Sequence, residues 1–297
     1  MDASANAPQW PLKAILYATD FSACTENAGN YASLLARKLE VDLLVAHAFI
    51  LTQFAMEVEA ESRQPAKSAQ RKDLEATLAA TAGRVGQGVK RAVPVLLEGD
   101  PREAIPRAAA EHAPSLIVLG TRGRGGVERG IVGSVAERIL RATSGPSLTV
   151  GPLVPVCEPG SVPFRRVLYA TGLSPEAARG ATYAAAMAQA FDASLDVLHV
   201  ARSEDMEHPD RFSEIQEQFY EVVDGLVPRH ADAIRNPHGF VEAGSAHTRI
   251  LEHMREFHTD LLVLSIRKSS HLWLQSRLSG AFHIIANAPC PVMTITG

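Results

Sequence analysis

Apolar residues in this chain gather in two ways. Some form short unbroken runs, and others recur every three or four positions through longer polar stretches. LKAILYA (12–18), DLLVAHAF (42–49), AVPVLLEG (92–99), SLIVLG (115–120) and SLTVG (147–151) are runs of the first kind. Unbroken runs this short read as strands buried on both faces. The stretches between them carry helix signals. Ser22 stands where an N-cap is expected, and a helix is expected to start after Asp100-Pro101. Residues 57–82 read as a long polar helix, with an apolar period in its later part at Leu74, Leu78, Ala82 and Val85. The order βαβαβαβαβ predicts a parallel sheet covered on both faces. Right-handed crossovers make it doubly wound, with ligands expected outside the carboxyl ends of the strands, at the topological switch point.

The same pattern is written twice. ILYATDFS (15–22) meets VLYATGLS (167–174), Tyr31 meets Tyr183, and LLVAHA (43–48) meets LDVLHV (195–200), all at an offset of 152. Further on, EGDPREAI (98–105) meets AGSAHTRI (243–250), LIVLG (116–120) meets LLVLS (261–265), and GPSLTV (145–150) meets CPVMTI (290–295), at an offset of 145. The second copy is shorter in its middle, and its Ser174-Pro175 repeats the helix start of Ser22 more clearly. Two copies of this size predict a tandem of domains, not a solenoid. The boundaries expected are 1–152 and 165–297, with the Pro- and Gly-rich stretch 153–164 as linker.

Composition narrows the picture only a little. The chain has 297 residues, 46% hydrophobic and 21% charged, which suits two globular domains of ~150 residues each. A formal net charge of −4 argues against a sequence-blind nucleic-acid binder. Cys24, Cys157 and Cys290 lie far apart, so no disulfide framework is expected and a reducing cytoplasm fits. MDASANAPQW lacks a basic region followed by an apolar run, so no signal peptide is expected, and no apolar run is long enough to span a bilayer.

The chemistry concentrates in GTRGRGGVERGIVGSVAERIL, 120–140. A glycine-rich loop lets backbone N–H groups point inward and lets a ligand approach without Cβ clashes. Gly133-Ser134 opens the helical VAERIL segment, and helix N-terminal amides with a hydroxyl suit phosphate oxygens. A P-loop is excluded because Gly-Lys never occurs. GxGxxG also fails, because Gly123-x-Gly125 is followed by Glu128 and the loop lies after the fourth strand. The spacing present is Gly120-x2-Gly123-x9-Gly133-Ser134.

That spacing, together with YATDFS, His47-Ala48, EGDPREAI and GPSLTVG, resembles the ATP-binding pattern of the universal stress protein family, over nearly the whole chain as two copies. The resemblance implies two α/β domains, each a doubly wound five-stranded parallel sheet of Rossmann-like, adenine nucleotide alpha hydrolase-like type. It also implies an intramolecular pseudo-dimer through antiparallel pairing of the fifth strands. The implied ligand is ATP or another adenine nucleotide, with or without Mg²⁺. Ala18, Thr19, Asp20 and Ala48 match positions that hold adenine and ribose. Gly120, Gly123, Gly133, Ser134 and Val135 match those that wrap phosphates, while Arg122 and Arg124 add charge by their position alone. The competing reading is that the glycines only make turns and Asp20 only caps the first helix.

The second copy departs from the pattern. Asp20 becomes Gly172, Gly120 becomes Ser265, Gly123 becomes Lys268 and Gly133 becomes Leu278, while Ser134 persists as Ser279. Leu272, Trp273 and Leu274 enter the loop. This copy is expected to be structural or to hold a different, apolar ligand. The φ freedom of the glycines is lost there.

Other chemistries find less support. His199, His247, His253, His258, His271 and His283 are expected to be solvated, since no metal-ligand spacing links them. There is no GxSxG elbow and no kinase catalytic loop, so no catalytic residues are assigned, and at most a slow ATPase is expected. RGRGG occurs once within a periodic fold and does not make an RNA-binding tract. The charged stretch after residue 56 reads as a solvated helix, with a lid over the cleft as the alternative. The expectation is a cytoplasmic stress-response binding protein with an adenine nucleotide as ligand, a protein partner of unknown identity, and neither nucleic acid nor membrane as partner; the alternative is a structural or interaction protein of the stress response that binds no nucleotide. Further pairing of two chains is left open.

Overall fold

The computed structural model describes residues 12–50, 63–112, 115–122, 130–143, 145–158, 161, 163–173, 177–226, 237–266 and 277–296. The first half contains β1 (Ala14–Ala18), α1 (Ala23–Lys38), β2 (Asp42–Phe49), α2 (Arg63–Val85), β3 (Ala92–Glu98), α3 (Pro101–Glu111), β4 (Ser115–Gly120), α4 (Ser134–Ala142) and β5 (Pro146–Val150). The second contains β6 (Arg166–Thr171), α5 (Ala177–Phe191), β7 (Ser194–Ala201), α6 (Ser203–Met206), α7 (Pro209–Leu226), β8 (His238–Ala243), α8 (Ala246–Glu256), β9 (Leu261–Ile266), α9 (Arg277–Asn287) and β10 (Val292–Thr296). The short α6 was not foreseen. No helix among the described residues is long and apolar enough to cross a membrane.

The two five-stranded sheets join through their fifth strands into one. Ten strands run in the order β3-β2-β1-β4-β5-β10-β9-β6-β7-β8. Every neighbouring pair is parallel except β5 and β10, which meet antiparallel with Leu148 opposite Met293 and Thr149 opposite Val292. In each half the chain winds outward in both directions from its first strand, so the switch points lie between β1 and β4 and between β6 and β9.

Alternate residues of each strand feed opposite layers. Ile15 and Tyr17 pack with Leu35 of α1 and Leu78 of α2, while Leu16 and Ala18 pack with Ile105 of α3 and Ile139 of α4. Both layers continue through Leu148, Met293, Ile285 and Val292 into the second half, where α5 and α7 cover one face and α8 and α9 the other. That double coverage is why the strands read as unbroken apolar runs. β3 lies at an edge, where Pro94 removes no interior ladder bond.

The repeat holds down to single dihedrals. Phe21 and Leu173 both have positive φ, 62° and 53°, and so do Glu40 and Asp192, 53° and 52°. The linker is tied down rather than free-running. The Asn27 amide donates to Pro155 O at 3.0 Å and accepts from Cys157 N at 2.9 Å, and Phe164 packs between Tyr31 and Phe191.

Burial pushes up the phenol pKa of Tyr17, Tyr31, Tyr169 and Tyr183. A raised folded-state pKa means the native chain keeps these protons longer than the unfolded chain. Their contribution to stability is therefore complete below the unfolded value of about 10 and is lost as pH rises through the folded values. Stability is expected to fall steeply above about pH 10, with most phenolate absorbance appearing only as the chain unfolds. A titration that follows absorbance and circular dichroism together checks this.

Candidate functional site

At the first switch point, the carboxyl ends of β1 and β4 part around a cleft of ≈ 270 Å³. Nine of the eleven residues expected from the sequence line it: Ala18, Thr19, Asp20, Ala48, Gly120, Arg122, Gly133, Ser134 and Val135. Gly123 and Arg124 lie outside the described residues.

One end of the cleft is a cross-linked turn. Thr19 Oγ1 accepts from Phe21 N at 3.0 Å, which supports the positive φ of Phe21. Asp20 Oδ1 accepts from Ser22 N at 2.9 Å, from the Ser22 hydroxyl, and from Thr25 Oγ1 at 3.3 Å. Tyr17 Oη donates to Thr25 O at 2.8 Å from beneath. Ser22 occupies the N-cap position of α1, but its side chain makes no capping bond; its hydroxyl donates to Asp20. Asp20 thus both lines the cleft and organises the start of α1. Asp20→Ala is expected to lower the stability of the ligand-free chain by about 1.5–3 kcal/mol, the usual contribution of a hydrogen bond to a charged group, read as a lower urea midpoint.

His47 Nδ1 donates to Thr19 O at 2.8 Å, and its ring lies 4.2 Å from that of Phe21. The sequence reading did not place His47 in the site. The signal was present, because His199 bonds Thr171 O at 3.0 Å at the repeat-related position. Thr25, Thr121, Pro101, Ile105, Ala136 and Ile139, all cleft residues, were also missed. Most are apolar or small and carry no motif of their own.

At the other end stands the first turn of α4. Its N-cap, Gly133, has no side chain with which to cap the amides of Ser134, Val135 and Ala136, and no side-chain cap bond forms there among the described residues. The contrast with α3 is direct. There Asp100 caps the helix, accepting from Arg102 N at 2.9 Å, and its bonds to Arg102 hold the Asp100 carboxyl below the usual carboxylate range. The dipole of α4 therefore points into the cleft with its amides open to an anion, and Arg122 lines the same end.

The glycines act differently from expectation. Gly133 has φ −62° and ψ 146°, open to any residue; its N–H bonds Thr121 O at 2.8 Å, and a Cβ there would lie 3.2 Å from that oxygen. A Cβ on Gly120 would lie 3.0 Å from Cys24 O, so Gly120 admits the start of α1 as well as lining the cleft. Close approach, not φ freedom, fixes both. Among the described residues of this loop, Gly130, at φ 89°, is the glycine that needs the left-handed region.

The second half keeps the frame without the groups. Gly172 stands at the position matching Asp20 and brings no carboxylate, and a Cβ there would meet nothing within 4 Å among the described residues. Ser265 turns toward α5, where it crowds Gly180, so it packs inward instead of obstructing the cleft. Lys268, His271, Leu272, Trp273 and Leu274 lie outside the described residues, as do the side chains of Leu278 and Ser279. The expectation of solvated histidines fails at His253. It is buried, 3.0 Å from Glu242 and stacked on Phe257, because β8 and α8 close over it. His199 is half-buried, and desolvation lowers its pKa. The lid alternative fails for the described part of its stretch: α2 packs on the sheet face opposite α3 and α4. Residues 57–62 lie outside the described residues. No cluster of three or more metal-ligating side chains occurs among the described residues.

The family model of the universal stress protein family matches residues 11–151 and 163–296. A universal stress protein of Methanocaldococcus jannaschii is 44% identical over 55 residues, 18% of this chain and 32% of that protein. One of Thermus aquaticus, described as lying in the QAH/OAS sulfhydrylase 3′ region, is 41% identical over 63 residues, 21% of this chain and 46% of that protein. The matches thus span less than half the length of these curated relatives. The crystal structure of a universal stress protein from Archaeoglobus fulgidus superposes with a TM-score of 0.72 at 20% identity, covering 97% of this chain and 99% of that one.

Proposed function

The chain belongs to the universal stress protein family, and from that premise we propose that its first half binds one adenine nucleotide, ATP or a close relative, as a stress-responsive switch. The observation that carries the reading is a single cleft with Asp20 at one end and the uncapped first turn of α4 at the other. Between them lies an apolar slot walled by Ala18, Ala48, Leu119, Ile105 and Ile139. A flat base fits the slot, sugar hydroxyls suit Asp20, and phosphates suit the α4 amides and Arg122. Residues 1–152 form the nucleotide domain in this reading. Residues 165–297 form a partner domain that does not bind nucleotide in the same way, because Gly172 offers no carboxylate.

Mg²⁺ would accompany the phosphates and need not be held by protein carboxylates. Binding changes the surface around the cleft mouth, and a protein partner in the cytoplasm reads that surface. A slow ATPase is the second reading, favoured by the carboxylate of Asp20 in the cleft. Purification under native conditions, denaturation and mass spectrometry of the released small molecules test the first reading, with about one adenine nucleotide per chain as the expected result. Turnover with Mg²⁺ that disappears in Asp20→Ala would instead support the second.

A further inference from the structure

The two halves differ at one more pair of matched positions. In the first half Arg102 and Arg138, with Asp100 and Ser134, line a recess beside the nucleotide cleft. The repeat puts His247 of α8 and His283 of α9 in the places of those two arginines. Their rings converge, with centroids 5.0 Å apart and planes at 72°. Two guanidiniums suit an anion; two imidazoles on neighbouring helices suit a soft cation.

The residue before α8 supports this. Asp100 spends its side chain on capping α3 and gripping Arg102. Its counterpart Ser245, the N-cap of α8, makes no capping bond. Its hydroxyl lies instead 3.0 Å from His247 Nδ1 and 3.4 Å from Nε2. A hydroxyl held beside the ring nitrogens orients the imidazole, as outer-shell oxygens do around metal-bound imidazoles.

We propose that the His247–His283 pair binds a divalent transition-metal ion of the zinc class, bridging α8 and α9. Water completes the coordination shell, since no third ligating side chain joins the pair among the described residues. Two protein ligands make the site weaker and more exchangeable than a closed four-ligand structural site. The ion would clamp the two helices that correspond to α3 and α4 around the first cleft. The inference does not depend on nucleotide binding.

Calorimetric titration of the full chain with Zn²⁺ tests it, with Mg²⁺ as a cation that imidazole does not favour. The expected result is one saturable zinc site, weakened at least about tenfold in His247→Asn or His283→Asn and absent in the double variant. Zinc should also raise the melting temperature of the wild type and not that of the double variant. Both side chains are at least partly exposed, so the variants should fold. Because the chain has eleven histidines, the difference from the double variant is the deciding quantity. Equal zinc uptake by wild type and double variant, or no zinc uptake by the wild type, overturns the proposal.

Discussion

Gly133→Leu is expected to abolish nucleotide binding while the chain stays folded. The backbone at Gly133 suits any residue, so the substitution brings no left-handed strain. What it brings is a Cβ 3.2 Å from Thr121 O, a contact that forces the Thr121–Arg122 segment and the first turn of α4 apart by a few tenths of an ångström. It also sets an isobutyl group beside the amides proposed to hold phosphate. A hydrogen bond to a charged group contributes about 1.5–3 kcal/mol. Losing two of them lowers affinity by about a hundredfold or more. Titration calorimetry measures the affinity and circular dichroism the fold. A variant that binds as well as the wild type would remove the α4 turn from the site.

Met293→Asp is expected to produce the largest loss of stability. Met293 is fully buried and stands opposite Leu148, also fully buried, where β10 meets β5. A carboxylate there has no partner and no water. The cost of an unpaired buried charge is several kcal/mol, a large part of the ~5–15 kcal/mol that holds a typical domain. Met293→Leu, which conserves volume, is expected to cost less than about 1.5 kcal/mol. Urea denaturation separates the two. The aspartate variant should lose most of its transition or aggregate, because it opens the seam that makes one sheet of two. A near-native midpoint would mean that this seam contributes little.

Much of the architecture was legible because strands buried on both faces leave unbroken apolar runs, and because the chain states its pattern twice. The offset of 152 between Thr19 and Thr171 reappears as matched hydrogen bonds from His47 and His199. The nine cleft residues named from the sequence were legible for a similar reason: they sit at strand ends and a helix start, which punctuation residues mark. What stayed hidden depends on distance in space. Nothing in the local sequence says that Gly120 is small because α1 starts 3.0 Å from where its Cβ would be. Nor does it say that Ser265 is accommodated because Gly180 makes room. His253 looked like one more polar residue on a helix. Its burial follows from Glu242 and Phe240 arriving from β8, a strand pairing that spacing along the chain does not reveal. The four-residue α6 is too short to leave a period.

The proposed switch rests on an asymmetry between halves of one fold. Asp20 and the α4 turn both line the first cleft, whereas the second half has Gly172, without a carboxylate, at the position of Asp20. The most direct test is the number of ATP molecules that one chain binds, measured by equilibrium dialysis of nucleotide-free protein. The account predicts one, lost in Gly133→Leu and retained in Ser265→Ala. Two per chain would mean that the second cleft binds despite its missing carboxylate, and none would contradict the nucleotide reading altogether.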